Sequence, residues 1–462
     1  MTRASVIIVS WNGEAYLAAC LDAILAQTGP DDEVIVVDNA STDSSVALVR
    51  ERHPQVHVIQ NDRNLGFAGG MNVGLRAAHG EFFLSVNQDV EVHRGWLEAL
   101  LEALAMPEVG VAGCKLFYPD GTIQHAGGVV RWPQAVVDHR GYRQPDDGRW
   151  DALRPVDYVT GAAWGFRRVM VEQVGLLDEG YWPGYYEEVD YCFRARRADW
   201  QVIYAPRATG VHHESVSLGK TSDAYQQAFH RGRLRFAIKN YVLEQVGEAL
   251  FSREREYVRG EQVAFARRVL APAYLSTLLS MPDLSEDVGG ANSPGTGGVD
   301  SLTLTSEITL GLSELYLLAL HARGGAQVDN HVQPVQLPPD AVYPPDVVYP
   351  PLQEHVFQSG VPVIGPLIQS VRRLVYGFAA RWGVLAVIQQ QNQVNQLIAQ
   401  ELTRLGQRMD ELDARLVDQD RDLAHLARAV AEVGIRQRHL AKTVLPTGPV
   451  DQGVASSGAS EA

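Results

Sequence analysis

From Ser5 to Val86 the chain alternates short β-rich runs with helical stretches, and this alternation limits the fold more than any other feature. Ser5–Val9, Glu33–Val37, Val56–Ile59 and Phe82–Val86 are the apolar, strand-type runs. Glu14–Leu25 carries helical spacing in Tyr16, Leu17, Cys20, Leu21, Ile24 and Leu25, and Ser44–Arg52 and Gly69–His79 read as further helices. The order predicts an α/β fold, Rossmann-like, with a mostly parallel central sheet and helices on both faces.

Downstream the pattern changes. Phe117–Ile123 is extended around an Asp120-Gly121 turn, which predicts a hairpin. Val156–Val216 holds a second set of short strands with a helix near Val189–Ala198. Tyr225–Leu275 is helical, with a basic cluster at Arg231, Arg233 and Arg235. The composition then shifts. Ser285–Ser301 is rich in Gly, Ser and Pro and reads as a linker, and a helix is expected near Leu304–Ala322. Val335–Leu352 repeats Pro-Pro pairs and suggests polyproline-type structure.

Further on, Ile388, Gln391, Asn395, Ile398, Leu402, Leu405, Met409, Leu412, Leu416, Gln419, Leu423, Leu426, Val430, Val433, Gln437 and Leu440 follow alternating steps of three and four. That stripe predicts a coiled coil and a homo-oligomer; the alternative is a helix folded back on its own chain. Pro366–Ile388 pairs an apolar face with Arg372, Arg373 and Arg381, and suits either peripheral membrane contact or packing against the body. The expected organisation is a first domain over 1–280 with a helical end, a linker with one short helix and the Pro-rich segment over 281–360, the amphipathic helix and coiled coil over 361–445, and a disordered tail over 446–462.

A formal net charge of −15 argues against a partner recognised by phosphate neutralisation, so no nucleic acid is expected. Cys20, Cys114 and Cys192 lie far apart and form no metal-ligand spacing, which suits a reducing cytoplasm. No apolar run is long enough to span a bilayer.

The polar groups that follow the strands carry the chemistry. Ser10-Trp11-Asn12-Gly13 ends the first strand, and Asp38 ends the second. A carboxylate there can accept hydrogen bonds from ribose or base. Asp43 suits either helix capping or ligand contact. The Gly-rich run Asn61–Asn72, which includes Asn64, Gly66 and Asn72, opens a helix whose N–H groups can hold an anion. Asn87-Gln88-Asp89 ends the fourth strand. Asp89 either is a solvated carboxylate or holds a divalent cation.

In this order the segments resemble the nucleotide-sugar-binding half of glycosyltransferase family 2, which has the GT-A fold. The stretches CKLFYPDGTIQHAGG and TGAAWGFRRVMVEQVGLLDEGYWPGYYEEVDYCFRARRADWQVIYAPRATGVHHESVS are similar to its rhamnosyltransferase-like branch. The resemblance covers about Ala4 to Tyr241.

It implies a donor site built from Ser10, Asn12, Asp38, Asn64, Gly66, Asn72 and Asp89, in which Asp38 meets the nucleoside. Asp89 stands last in the family's DxD-type motif and would bind Mg²⁺ or Mn²⁺, with Asn87 at the first acidic position. His212, with His213 as competitor, would complete the metal site; in a strand the two face opposite ways. Glu188 takes the place of the general base, where the family carries Asp. Trp164, Trp182, Glu187 and Asp190 are the implied acceptor contacts, with Tyr185 and Tyr186 as further aromatic candidates; the aromatics are equally open to core packing. Without the resemblance, an acidic helix N-terminus accounts for Glu187, Glu188 and Asp190; with it, Glu188 reads as the base.

The implied activity is an inverting, metal-dependent transfer from a nucleotide sugar, best matched by dTDP-L-rhamnose, to a saccharide or lipid-linked saccharide in surface polysaccharide synthesis. The implied setting is the cytoplasm, at the inner face of the membrane where the protein is peripheral. The rival is a non-catalytic nucleotide-sugar-binding scaffold organised by its coiled coil. A nucleotidyltransferase is disfavoured, because no Gly-rich loop with a basic residue follows the first strand.

Overall fold

The structure is a computed structural model and describes residues 2–214, 222–240, 249–288, 301–322 and 419–438. Its first segment alternates β1 (Ala4–Ser10), α1 (Leu17–Leu25), β2 (Asp32–Asp38), α2 (Ser45–Arg52), β3 (His57–Gln60), α3 (Gly66–Ala77) and β4 (Phe82–Val86). β5 (Val90–Val92), α4 (Trp96–Leu104), β6 (Val109–Phe117), β7 (Ile123–His125), β8 (Gly128–Arg131) and β9 (Val136–His139) follow. Next come β10 (Arg154–Pro155), β11 (Ala163–Arg167), α5 (Arg168–Val174), α6 (Glu187–Arg197), β12 (Gln201–His212) and α7 (Asp223–Asn240).

The main sheet runs β10-β12-β6-β11-β4-β1-β2-β3, with β5 beside β12 and β7 beside β6. β1, β2, β3 and β4 pair in parallel, as expected. β11, however, lies antiparallel between β4 and β6, so the sheet is mixed rather than mostly parallel. The reason lies in the connections. Between β6 and β11 the chain makes a β6–β7 turn and a β8–β9 hairpin and no helical crossover, and a parallel neighbour needs a crossover.

Two successive antiparallel steps restore the original direction. β6 therefore runs with β4, and β12 runs parallel to β6. The carboxyl end of β12 thus comes to the same edge as the carboxyl ends of β1, β2 and β4. β5 pairs with β12 in a register that sets Val90 opposite His212.

Both faces of the sheet are covered. Val6, Ile8, Val34, Val36, Leu84 and Val86 meet α1 and α4 on one side. Ile7, Ile35, Val37 and Phe83 share the other core with α3, α6 and α7. Burial on both faces explains why these strands read as unbroken apolar runs.

Packing continues past the expected boundary at 280. In Ser301–Leu320, Ile308, Leu312, Leu315 and Ala319 are buried in the same core, and Met281–Val288 buries Met281 and Leu284. Ser285–Val288 is therefore helical rather than linker. The helix over 419–438 folds back on this body through Ala424, Ala427, Ala431 and Ile435, with Arg438 paired to Asp283. The heptad residues Leu423, Leu426, Val430 and Val433 stay exposed. Gln419 and Gln437 are exposed on the same stripe, while its positions from Ile388 to Leu416 and Leu440, the Pro-rich run, the expected Pro366–Ile388 helix and the tail lie outside the described residues. Among the described residues no helix is long and apolar enough to cross a membrane.

Candidate active site

The edge formed by the carboxyl ends of β1, β2, β4 and β12 gathers the polar groups. Asp38 is 1% exposed at the end of β2. Its Oδ2 accepts from Ser41 N–H at 3.2 Å, while its buried Oδ1 has no partner. A buried carboxylate oxygen without a donor is costly unless a ligand supplies one. Asn12 is exposed and accepts from Thr42 N–H at 2.8 Å, joining the β1 and β2 turns. Asp43 accepts from Ser45 N–H and Glu14 N–H, a local anchoring role.

Four expected donor contacts are part of the scaffold instead. Ser10 is fully buried and donates to Gln88 Oε1 at 2.9 Å. Asn72 is buried and clamps α3 to Leu177 and Glu179. Asn64 Oδ1 accepts from Gly66 N–H, and Phe67 N–H donates to the Pro183 carbonyl. The first N–H groups of α3 are thereby satisfied, which argues against the expected anion cradle. Gly66 has φ +72° and sits under Trp182, where a side chain would collide with the ring. Gln88 also accepts from Trp11 N–H, so the middle residue of Asn87-Gln88-Asp89 ties the β1 turn to the end of β4.

Asp89 Oδ1 lies 3.3 Å from His212 Nε2. Burial works against charge on Asp89, but His212 outweighs it and holds the carboxyl below its usual range. His213 points away and contacts Glu91 Oε1 at 2.8 Å. Two ligands at right angles on one octahedral cation, each roughly 2.1 Å from it, stand about 3.0 Å apart. Asp89 and His212 therefore fit adjacent corners of such a site. Among the described residues no cluster of three or more His, Cys, Asp or Glu side chains forms a metal site. A cation held by two side chains leaves its other positions to phosphate oxygens and water, the usual arrangement for a small hard cation.

The second half of the site begins at α6. Tyr185 and Tyr186 have φ +79° and +74°, a left-handed conformation that bulky residues seldom adopt and that costs roughly 1–3 kcal/mol each. Gly232 of α7 allows this turn, because a Cβ there would strike the Tyr185 carbonyl. The turn sets Glu187 and Glu188 at the start of α6. A Cβ on Gly161 would lie 3.4 Å from Glu188 Cβ, and the next residue, Ala162, accepts from Asn87 N–H at 2.8 Å. The residue 161–162 turn thus separates Glu188 from the Asn87–Asp89 segment. Burial raises the Glu188 carboxyl to about 7. Burial and the Glu188 charge also push Glu187 well above the usual carboxylate range, and its Oε2 has no hydrogen-bond partner.

Asp190 and Trp164 do not reach an acceptor. Asp190 is fully buried and paired with Lys239 and Arg194, which outweigh its burial and hold it below the usual range. The same Lys239, with Arg235, overcomes burial to hold Asp178 down to about 2. Trp164 is fully buried with its ring 4.3 Å from Phe166. Tyr186 is core as well, donating to the Ala135 carbonyl. Trp182 is 52% exposed and Tyr185 half-buried against Tyr225, so the accessible aromatic surface is theirs.

A protein-family model, "Glycosyl transferase family 2", matches residues 5–175. The N-acetylglucosaminyl-diphospho-decaprenol L-rhamnosyltransferase of Mycobacterium tuberculosis is 27% identical over 257 residues, 50% of this chain and 82% of that protein. The O-antigen biosynthesis protein RfbC of Myxococcus xanthus is 30% identical over 236 residues, 49% of this chain but only 18% of that protein. Among solved structures, S. aureus TarS 1-349 in complex with UDP-GlcNAc aligns with TM-score 0.43 and 16% identity, covering 69% of this chain and 86% of that one.

Proposed function

We propose that this chain, whose residues 5–175 form a glycosyl transferase family 2 domain, moves a sugar from a nucleotide sugar to a saccharide or lipid-linked saccharide acceptor with inversion at the anomeric carbon. The observation that carries the reading is the facing pair Asp89 and His212, on the sheet edge that also holds the unpartnered Asp38 oxygen. Asp38 takes a donor hydrogen from the base or ribose. Asp89 and His212 hold Mg²⁺ or Mn²⁺, which when bound offsets negative charge on the departing diphosphate. Glu188 takes the proton from the acceptor hydroxyl as its oxygen attacks, and its raised pKa suits a base working near neutral pH. Replacing the family's Asp by Glu adds one methylene of reach. Trp182 and Tyr185 offer apolar faces to an acceptor ring.

L-Rhamnose is the best single choice of donor sugar, supported by the similarity to the mycobacterial rhamnosyltransferase. The acceptor would then belong to surface polysaccharide or lipid-linked glycan assembly. The exposed Leu423, Leu426, Val430 and Val433 stripe supports self-association as part of the same reading. The test is incubation of the full chain with a panel of nucleotide sugars, Mn²⁺, and saccharide or polyprenyl-linked acceptors. Release of nucleoside diphosphate that depends on acceptor supports the proposal. No release from any donor, with or without acceptor, overturns it.

A further inference from the structure

We propose that Gln124 is a positioning residue for the metal site: its side-chain oxygen accepts the Nδ1–H of His212 and so turns the bare Nε2 toward Asp89. This rests on Asp89 and His212 being the cation ligands. His212 Nδ1 lies 2.8 Å from Gln124 Oε1, and both side chains are buried. A neutral imidazole carries one proton, so a hydrogen on Nδ1 leaves Nε2 as the free lone pair. A ligating histidine is commonly fixed in this way by an acceptor on its other ring nitrogen.

The Gln124 backbone has little freedom to move. β7 is buried at Ile123, Gln124 and His125. Its neighbours on both sides are tied: Ile123 exchanges backbone hydrogen bonds with Gln144 and Arg143, and His125 Nε2 accepts from Thr160 N–H at 3.3 Å. The strand also pairs with β6, setting His125 opposite Leu116. The Asp120-Gly121 turn thus holds an arm that brings a neutral acceptor to a histidine far along the chain.

The amide orientation matters. As placed, Gln124 Nε2 is the buried atom without a partner. Turning the amide over would orphan Oε1 instead, and the bond it would add, His212 Nε2–H to Asp89 Oδ1 across 3.3 Å, is one that a cation between the two displaces. It would also make Nδ1 the acceptor and put the proton on Nε2, aimed at the cation position.

The experiment uses the full chain and titrates Mn²⁺ in the presence of dTDP, with UDP in parallel, reading free Mn²⁺ by electron paramagnetic resonance. Gln124→Leu should weaken Mn²⁺ roughly 10–100-fold while metal-free nucleotide binding stays unchanged. Gln124→Glu keeps the acceptor and should bind Mn²⁺ about as well as the unmodified chain. Unchanged Mn²⁺ affinity in Gln124→Leu overturns the proposal, as does a Gln124→Glu variant as weak as Gln124→Leu. If Gln124→Leu does not fold, ring ¹⁵N shifts of His212 in the Mg²⁺–dTDP complex of the unmodified protein decide it. A proton on Nδ1 supports the proposal and a proton on Nε2 overturns it. Should the unmodified chain bind no Mn²⁺ and Asp89→Ala behave identically, the metal site itself fails and Gln124 fails with it. Loss of binding in Asp89→Ala beside full binding in Gln124→Leu removes only the role of Gln124.

Discussion

The Nε2 of His212 faces the Oδ1 of Asp89 across 3.3 Å, although one residue ends β12 and the other follows β4. His213, the next residue, is turned to Glu91. Asp89→Ala and His212→Ala should both abolish Mn²⁺-dependent binding of a nucleoside diphosphate, measured by calorimetry with and without Mn²⁺. His213→Ala should leave it nearly intact. Equal losses in His212→Ala and His213→Ala would count against His212 as the specific ligand.

Glu188 is raised to about 7, chiefly by burial, so kcat/KM should climb with pH and level off above about 7. Glu188→Gln should bind donor and fail to transfer; full turnover in that variant would remove Glu188 from its role. The stability sign follows from linkage. A carboxyl raised in the folded state retains its proton to higher pH than the unfolded chain does. Stability therefore falls as pH rises from the ordinary glutamate range to about 7 and stays lower above it. Glu188→Gln should accordingly stabilise the protein at pH 8, by about 1–3 kcal/mol, and much less at pH 4, read from melting curves at both values.

Arg233 of α7 makes a two-pronged contact with Glu254, at 2.7 and 2.8 Å, and Tyr274 donates to the same carboxylate. Arg233 and Glu254 are both buried. The Arg231–Arg235 cluster thus contains a structural tie rather than an exposed basic patch. Glu254→Ala leaves an uncompensated guanidinium in the core and should cost about 3–5 kcal/mol in denaturant unfolding. A loss below about 1 kcal/mol would show that water reaches Arg233.

Leu426 and Val430 are 61% and 55% exposed, while Ala427 and Ala431 beside them are buried against the body. Deleting the helix would strip cover from that body. A double change, Leu426→Glu with Val430→Glu, spares the buried alanine face. It should lower the mass in sedimentation equilibrium with little change in melting temperature. An unchanged mass argues against self-association through this stripe.

The two tryptophans expected to meet an acceptor should separate cleanly. Trp164→Ala empties a core position and should cost about 3–5 kcal/mol of stability. Trp182→Ala should leave stability nearly unaltered and raise the acceptor KM with a smaller effect on kcat. An unaltered KM would remove Trp182 from the acceptor site.

The strands and helices before Val86 were legible because period-2 and period-3.6 patterning are local and both faces of the sheet are buried. The hairpin at Asp120-Gly121 was legible for the same local reason. The antiparallel β11 was not, since the connection leading to it is a matter of path rather than of pattern. Within the candidate site, Asp38 and Asp89 could be named from strand ends, whereas Glu188 stood out only through the family resemblance. Ser10 and Asn72 were misread because a polar residue beside a ligand site and one that locks two loops together look alike in sequence. Gln88 and Gln124 do not stand out in the sequence: each lies within a recognisable motif, but an uncharged amide gives no sign of its partner.

By itself the sequence determined the α/β alternation, the acidic strand ends and the heptad stripe, because each is written in residues close together along the chain. Only the tertiary structure decided that His212 rather than His213 meets Asp89, that Asp190 and Trp164 are sealed in the core, and that an alanine face carries the helix over 419–438 back to the body. Those outcomes depend on two antiparallel steps that return β12 to the direction of β4 and on which side chains the packed layers exclude from water.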